Sequence, residues 1–141
     1  MTDTTFTTDT TITTVDLFSS MLDFRADGGV RSGARRMAEG EPGSWQVAAF
    51  HVETDADVHA DHWEVHPEGE EAVCCLAGGV RLYLRAVMDG GAEEMVRLGP
   101  GTAVLVPRGR WHRLELDAPS DLMSISPRRG SRLEKRSDLG G

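Results

Sequence analysis

From Trp45 to Ser126 the chain is a succession of short runs rich in β-branched and aromatic residues, punctuated by Gly, Pro and Asp. The runs are WQVAAFHVE (45–53), WEVH (63–66), EAVCCLA (71–77), VRLYLRAV (80–87), EEMVRL (93–98), TAVLVP (102–107), WHRLEL (111–116) and DLMSIS (121–126). In VRLYLRAV, Val80, Leu82 and Leu84 alternate with Arg81, Tyr83 and Arg85, the period of a strand with one buried face. Asp89-Gly90-Gly91 predicts a hairpin turn, LGPG (98–101) a second, and Asp117–Ser120 a third. No long amphipathic helical pattern interrupts the series. Closely spaced short strands of this kind predict an all-β sandwich or barrel.

The flanks read differently. Residues 1–14 are Thr-rich and carry little that packs, which predicts a tail or an edge strand exchanged with a second copy. Within residues 15–44, 15–24 read as a short helix or an irregular apolar strap and 26–44 as a loop rich in Gly, Arg and Glu, and 127–141 read as a charged, exposed tail. The strand-rich segment 45–126 is thus the expected core of a single domain, in keeping with a 141-residue chain. The formal net charge of −8 argues against a nucleic-acid partner, because an acidic chain is repelled by phosphates. No apolar run approaches the ~20 residues of a membrane helix, and the first residues lack the basic and apolar regions of a secretory signal. Adjacent Cys74 and Cys75 point to opposite faces of a strand, so they predict two reduced thiols. These features predict a cytoplasmic protein.

Three of the five histidines fall between 59 and 66, among acidic residues. Imidazole and carboxylate together are the ordinary donors for divalent first-row metals. Glu64 and His66 share a strand face at ~6.6 Å, from a rise of ~3.3 Å per residue, close enough to converge on one ion. His62 has the same parity but lies ~13 Å from His66 on a straight strand. His62 or His59 reaches the same point only if the strand bends or bulges. Glu71 opens the next run after the Pro67/Gly69 turn and can swing back towards His66. His112 shares parity with Leu114 and Leu116, the apolar face of its run; by itself it fits a hydrogen-bonded core histidine as well as a ligand. HWEVH (62–66) is not the zinc-protease helix, since Pro67 and Gly69 oppose a helix and no Glu directly follows His62.

Two segments together resemble the paired motifs of the cupin superfamily. The first family motif reads His-x-His, three or four residues, Glu, six residues, Gly; here His66, Pro67–Glu70, Glu71, Ala72–Ala77 and Gly78 match from the second His onward. The second reads Gly, five residues, Pro-x-Gly, two residues, His; Gly101, Thr102–Val106, Pro107-Arg108-Gly109, Arg110-Trp111 and His112 match it at every fixed position. The resemblance covers about residues 45–126 and implies a single-domain cupin barrel, a double-stranded β-helix or jelly roll. It also implies a metal held by Glu64, His66, Glu71 and His112, with Glu64 in place of the family's first His. Two imidazoles and two carboxylates favour harder ions such as Mn(II), Fe(II) or Zn(II), with Ni(II) a further candidate.

Cupins include dioxygenases, decarboxylases, isomerases, lyases and non-catalytic binding proteins, so the fold does not fix the reaction. The resemblance implies a metal-dependent enzyme acting on a small polar or anionic metabolite, with Glu64 or Glu71 doubling as a general base. The alternative is a ligand-binding or sensing module without turnover. Metal-free sugar-nucleotide isomerisation would need a catalytic Tyr, and the lone Tyr83 lies on the polar face of its run. Arg108 and Arg110, near His112, are candidates to hold an anionic substrate, although charged residues on a turn also simply face solvent. Trp63 and Trp111 have the opposite parity to the candidate ligands, which predicts packing outside the barrel. Cupin barrels pair through edge strands, so a homodimer is expected.

Overall fold

The computed structural model describes residues 12–35 and 39–137. Most of the Thr-rich segment 1–14 therefore lies outside the described residues, as do the last four residues. Among the described residues nine strands form one curled antiparallel sheet: β1 (Met21–Phe24), β2 (Val30–Gly33), β3 (Trp45–Val52), β4 (His62–Val65), β5 (Glu71–Leu84), β6 (Glu94–Leu98), β7 (Thr102–Val106), β8 (His112–Ser126) and β9 (Arg132–Lys135). The only helical element among the described residues is a 3-10 turn, Asp55–Val58. The architecture is all-β, as the run pattern predicts.

Two long strands organise the sheet. The runs 71–77 and 80–87 merge into β5, and 111–116 and 121–126 merge into β8. The turn expected at Asp117–Ser120 is instead an irregularity within a continuous strand, where the β5–β8 register shifts between Cys75 and Val80. Gly78 sits at this bend with φ +85°, and a Cβ there would collide with Ser120 Oγ and the Pro119 carbonyl. Glycine is thus required for two reasons, a left-handed backbone and a close strand approach. Ser120 Oγ accepts a hydrogen bond from Gly79 N–H (3.0 Å), closing the gap that the bulge opens.

The bend lets each long strand serve two neighbours. The first half of β5 pairs with β7 and with Leu122–Ile125 of β8. Its second half pairs with β6 and with His112–Leu116. The first half of β8 also meets β4 through Glu64 opposite His112, and its second half carries β3. The sheet therefore wraps around its inward face. Val52, Val73, Cys75, Val80, Leu82, Leu84 and Leu122 fill that face as one buried cluster. Alternation dictates this inner set, since Val80, Leu82 and Leu84 are every second residue of β5.

Segments read as loop and tail also contribute strands. β1 and β2 form a hairpin on β3, and β9 pairs with β4 over His62–Val65. Neither β2 nor β9 buries a residue, so the hydrophobic pattern that marks strands elsewhere is missing from both. Their strand conformation comes from the open hydrogen-bonding edge each neighbour offers.

Candidate metal centre

Residues 64, 66, 71 and 112 come from three parts of the curled sheet. Glu64 lies on β4 and His66 just beyond its end, on the same face. Glu71 is the first residue of β5 and His112 the first of β8. The Pro67/Gly69 turn returns the chain so that Glu71 faces His66. Gly69 is held tight there, since a Cβ would lie 2.8 Å from Pro127. At the other segment, Gly109 adopts φ +74° and its N–H donates to the His66 carbonyl (3.0 Å), tying the second motif directly to the first.

One candidate ligand atom from each of the four side chains lies within 4.8 Å of the other three. His66 Nε2 is 3.2 Å from Glu64 Oε1 and 3.1 Å from Glu71 Oε2. His112 Nε2 is 2.7 Å from Glu71 Oε1 and 3.6 Å from Glu64 Oε1. The ring centroids stand 5.6 Å apart. His66 and Glu71 are almost wholly buried, with 2% and 3% exposure of their side chains, whereas Glu64 keeps 24%. The two segments of the sequence motif therefore meet around one point on the inner face of the barrel. This meeting is the one that the resemblance to the paired cupin motifs implies.

Each imidazole is held by its outer nitrogen. His66 Nδ1–H donates to Ser131 Oγ at 2.6 Å, and His112 Nδ1–H to the Arg110 carbonyl at 3.2 Å. Both rings thus turn Nε2 inward, the arrangement in which a metal-ligating histidine is oriented by its second nitrogen. His66 Nε2 and Glu71 Oε1 are buried without an aligned hydrogen bond despite the short contacts around them. Close but misaligned donors aimed at a shared point suit a cation better than they suit one another. An ion ~2.0–2.2 Å from each donor allows donor pairs up to roughly twice that distance, so a small inward shift suffices. The residues present fit a divalent metal.

Without a metal, the cluster balances its own charge. Burial works against charge on both histidines, but the apposed Glu64 and Glu71 outweigh it and raise His66 to about 9 and His112 to about 10. Burial likewise works against charge on Glu64 and Glu71, and the two imidazoliums still hold both carboxyls well below the ordinary range. Without metal, two positive and two negative charges neutralise one another.

A cavity of about 180 Å³ opens beside the cluster. Glu64, Glu71 and His112 form part of its wall, Phe50, Val52, Val73 and Leu122 an apolar part, and His59 and His62 also border it. His62 bonds to Asp61 at 2.8 Å, and His59 stands in a left-handed conformation after the 3-10 turn; neither joins the four-residue cluster. Arg108 and Arg110 do not border the cavity. Arg108 donates to the Pro67 carbonyl, and Arg110 donates to the Arg85 carbonyl and pairs with Glu94. The arginines that border it are Arg113 and Arg128. Arg113 is neutralised by Glu115 and stacks over Tyr83 at 4.1 Å and Trp63 at 5.2 Å, so Tyr83 is half-buried rather than a free surface ring. Arg128 was not singled out by the sequence pattern, yet a signal exists. Ser120, Leu122, Ser124, Ser126 and Arg128 are all buried alternate positions, so the inward phase of β8 continues past Pro127. Cys75 packs in the dry core, where burial raises its thiol pKa, and both cysteines are free.

No family model matches the chain, and no curated protein matches it. Solved structures similar to it include a cupin-2 domain protein from Shewanella frigidimarina NCIMB 400 (19% identity, TM-score 0.46, covering 62% of this chain and 74% of that one). Others are Bacillus subtilis oxalate decarboxylase, studied for its Mn(II) centres (19%, 0.47, 63% and 23%), and hydroquinone 1,2-dioxygenase from Sphingomonas sp. TTNP3 with 4-hydroxybenzoate bound (14%, 0.47, 69% and 64%). The chain thus spans about a quarter of the oxalate decarboxylase chain it resembles. Among the described residues no helix is long and apolar enough to cross a membrane.

Proposed function

We propose that this chain binds one divalent metal through Glu64, His66, Glu71 and His112, and that it is an enzyme acting on a small polar or anionic metabolite in the adjoining cavity. The observation that carries the reading is the convergence of four mostly buried N and O donors on one point of a cavity wall. Such a metal, when bound, supplies a Lewis acid or a redox centre. Donor softness favours Mn(II), Fe(II) or Zn(II) over softer ions.

The chain's own residues have separable parts. His66 and His112 present fixed Nε2 atoms, because Ser131 and the Arg110 carbonyl hold the opposite nitrogens. Glu71 is enclosed and fixed by both imidazoles. Glu64 is the more exposed carboxylate and makes the longer contacts. It is therefore the group best placed to take a proton from a bound metabolite. The apolar residues Phe50, Val52, Val73 and Leu122 lower the polarity around a bound metabolite and strengthen polar contacts with it.

Metal analysis of the purified protein before and after chelation tests the reading. It expects a stoichiometric divalent metal whose removal lowers thermal stability. A protein that carries no metal, takes up none on titration and ignores chelator would refute it. A metal-bound protein without turnover on any small acid, sugar or phenol would instead favour a binding or sensing module.

A homodimer is also part of the proposal. β2 is an exposed edge strand, and such an edge is commonly covered by a second chain. A monomer mass by light scattering would exclude it. Two free cysteines favour a reducing, cytoplasmic setting.

A further inference from the structure

The cavity holds a charge that the metal centre does not use. Arg128 follows β8 and is only 9% exposed. Its backbone N–H donates to Gln46 Oε1 at 2.8 Å, and one guanidinium nitrogen donates to Ser124 Oγ at 2.8 Å. Its Nε is buried with no hydrogen-bond partner, and no carboxylate among the described residues forms an ion pair with it. A guanidinium is always charged and carries five donors in a planar fork. Burying one without an anion is costly, and such a group is stabilised when a carboxylate arrives.

Its neighbourhood strengthens the positive potential. Arg35 lies 4.4 Å over the Phe50 ring, and Phe50 borders the same cavity. Desolvation and the charge on Arg128 both push the Arg35 pKa down, with Asp16 opposing them. Arg35 and Arg128 are thus close enough to repel one another, and of the two Arg128 borders the cavity. A divalent ion with two carboxylates and two neutral imidazoles has no net charge, so the metal centre does not compensate Arg128 either. Ser124, its partner, lies opposite Val73, and Val73 is two residues along β5 from Glu71, one inward-facing row of ~6.6 Å. The guanidinium, held at Ser124, and the metal cluster therefore border one cavity, with Phe50, Val52, Val73 and Leu122 supplying apolar wall.

We propose that Arg128 is the anchor of an anion subsite in this cavity, and that the ligand is a small carboxylic acid with an apolar body. The carboxylate pairs with the guanidinium, and the body lies against the aliphatic wall with its free end towards Glu71 and His112. This rests on the reading of the cavity as the ligand site of the metal centre, and it names the substrate class of that site. Arg128 thus takes the part for which Arg108 and Arg110 are the candidates by their nearness to His112 in the chain.

Calorimetric titration of the zinc-loaded full chain with benzoate and isovalerate, against the neutral amides benzamide and isovaleramide, tests it. At least one acid is expected to bind tenfold or more tightly than its amide. Arg128→Gln is expected to erase that preference while zinc stoichiometry is unchanged, and Arg128→Lys to keep part of it. Equal binding of acid and amide, no binding of either acid, or an acid preference that survives in Arg128→Gln would overturn the proposal. If Arg128→Gln does not fold, the acid–amide comparison in the wild-type chain decides. If the wild-type chain takes up no zinc, the metal reading fails separately, and the same comparison in the metal-free protein still decides Arg128.

Discussion

Two parts of the cavity wall solve the problem of buried charge in opposite ways. In one, Glu64, His66, Glu71 and His112 place two acids against two bases, so protons alone balance the site. In the other, Arg128 holds a permanent charge with a serine hydroxyl as its side-chain partner. The first tolerates both loaded and unloaded states, since the histidines take up or release protons as an ion leaves or arrives. The second cannot change its own charge and depends on what the cavity contains. A site made of titratable groups is built for exchange, and a site made of one guanidinium for selection by sign.

The contrast makes predictions for both parts. His112→Ala removes a fixed donor and leaves Glu71 buried beside one imidazole, so metal affinity should fall by about a hundredfold or more, measured by competition with a chromophoric chelator. Retention at the wild-type level would mean that the cluster is not the metal site. A pH titration of metal affinity comes next. His66 and His112 are protonated below about 9 and 10, so an ion must displace protons from them. Affinity should therefore rise with pH between 6 and 8, by roughly tenfold or more per unit, because each released proton contributes up to about tenfold. A flat profile would show that the imidazoles are not the groups displaced.

Smaller effects sharpen the comparison. Ser131→Ala frees the outer nitrogen of His66 and should weaken metal binding by about tenfold, the usual range for a partner behind a ligand. Arg128→Met should leave metal affinity unchanged and raise the stability of the ligand-free protein by about 1 kcal/mol in urea unfolding, since an uncompensated buried charge is replaced by an apolar chain of similar length. Destabilisation there would mean that Arg128 is a structural group and that its charge is compensated. His59→Ala should alter metal affinity by less than about twofold, because His59 borders the cavity without joining the cluster.

The difference between the two parts is also the difference between what was and was not legible. Glu64 and His66 announce themselves by strand parity, whereas Glu71 and His112 stand out only because their spacings from Gly78 and from Pro107 and Gly109 resemble the cupin motifs. Those spacings are local, and a turn or a strand repeat converts them into direction. Arg128 lies in a stretch of charges that composition assigns to solvent, and only the continued inward phase of β8 brings it inside. Arg108 and Arg110 show the converse. They stand near His112 in sequence, but the Pro107–Gly109 turn sends them to the Pro67 and Arg85 carbonyls on the outside. β2 and β9 were not readable as strands because they bury nothing, and their pairing is imposed by a neighbour's edge.

The amino-acid order by itself determined the strand-rich core and the alternation that fills it, because these depend on interactions repeated every two residues or on turns of a few residues, while the four clustered side chains were marked out by the motif resemblance. The tertiary structure alone decided that two bent strands run through the predicted breaks, which arginine enters the cavity, and that its charge is left without an anion. Those outcomes depend on where distant segments stop relative to one another, and a burial cost is incurred only once the barrel has closed around the group.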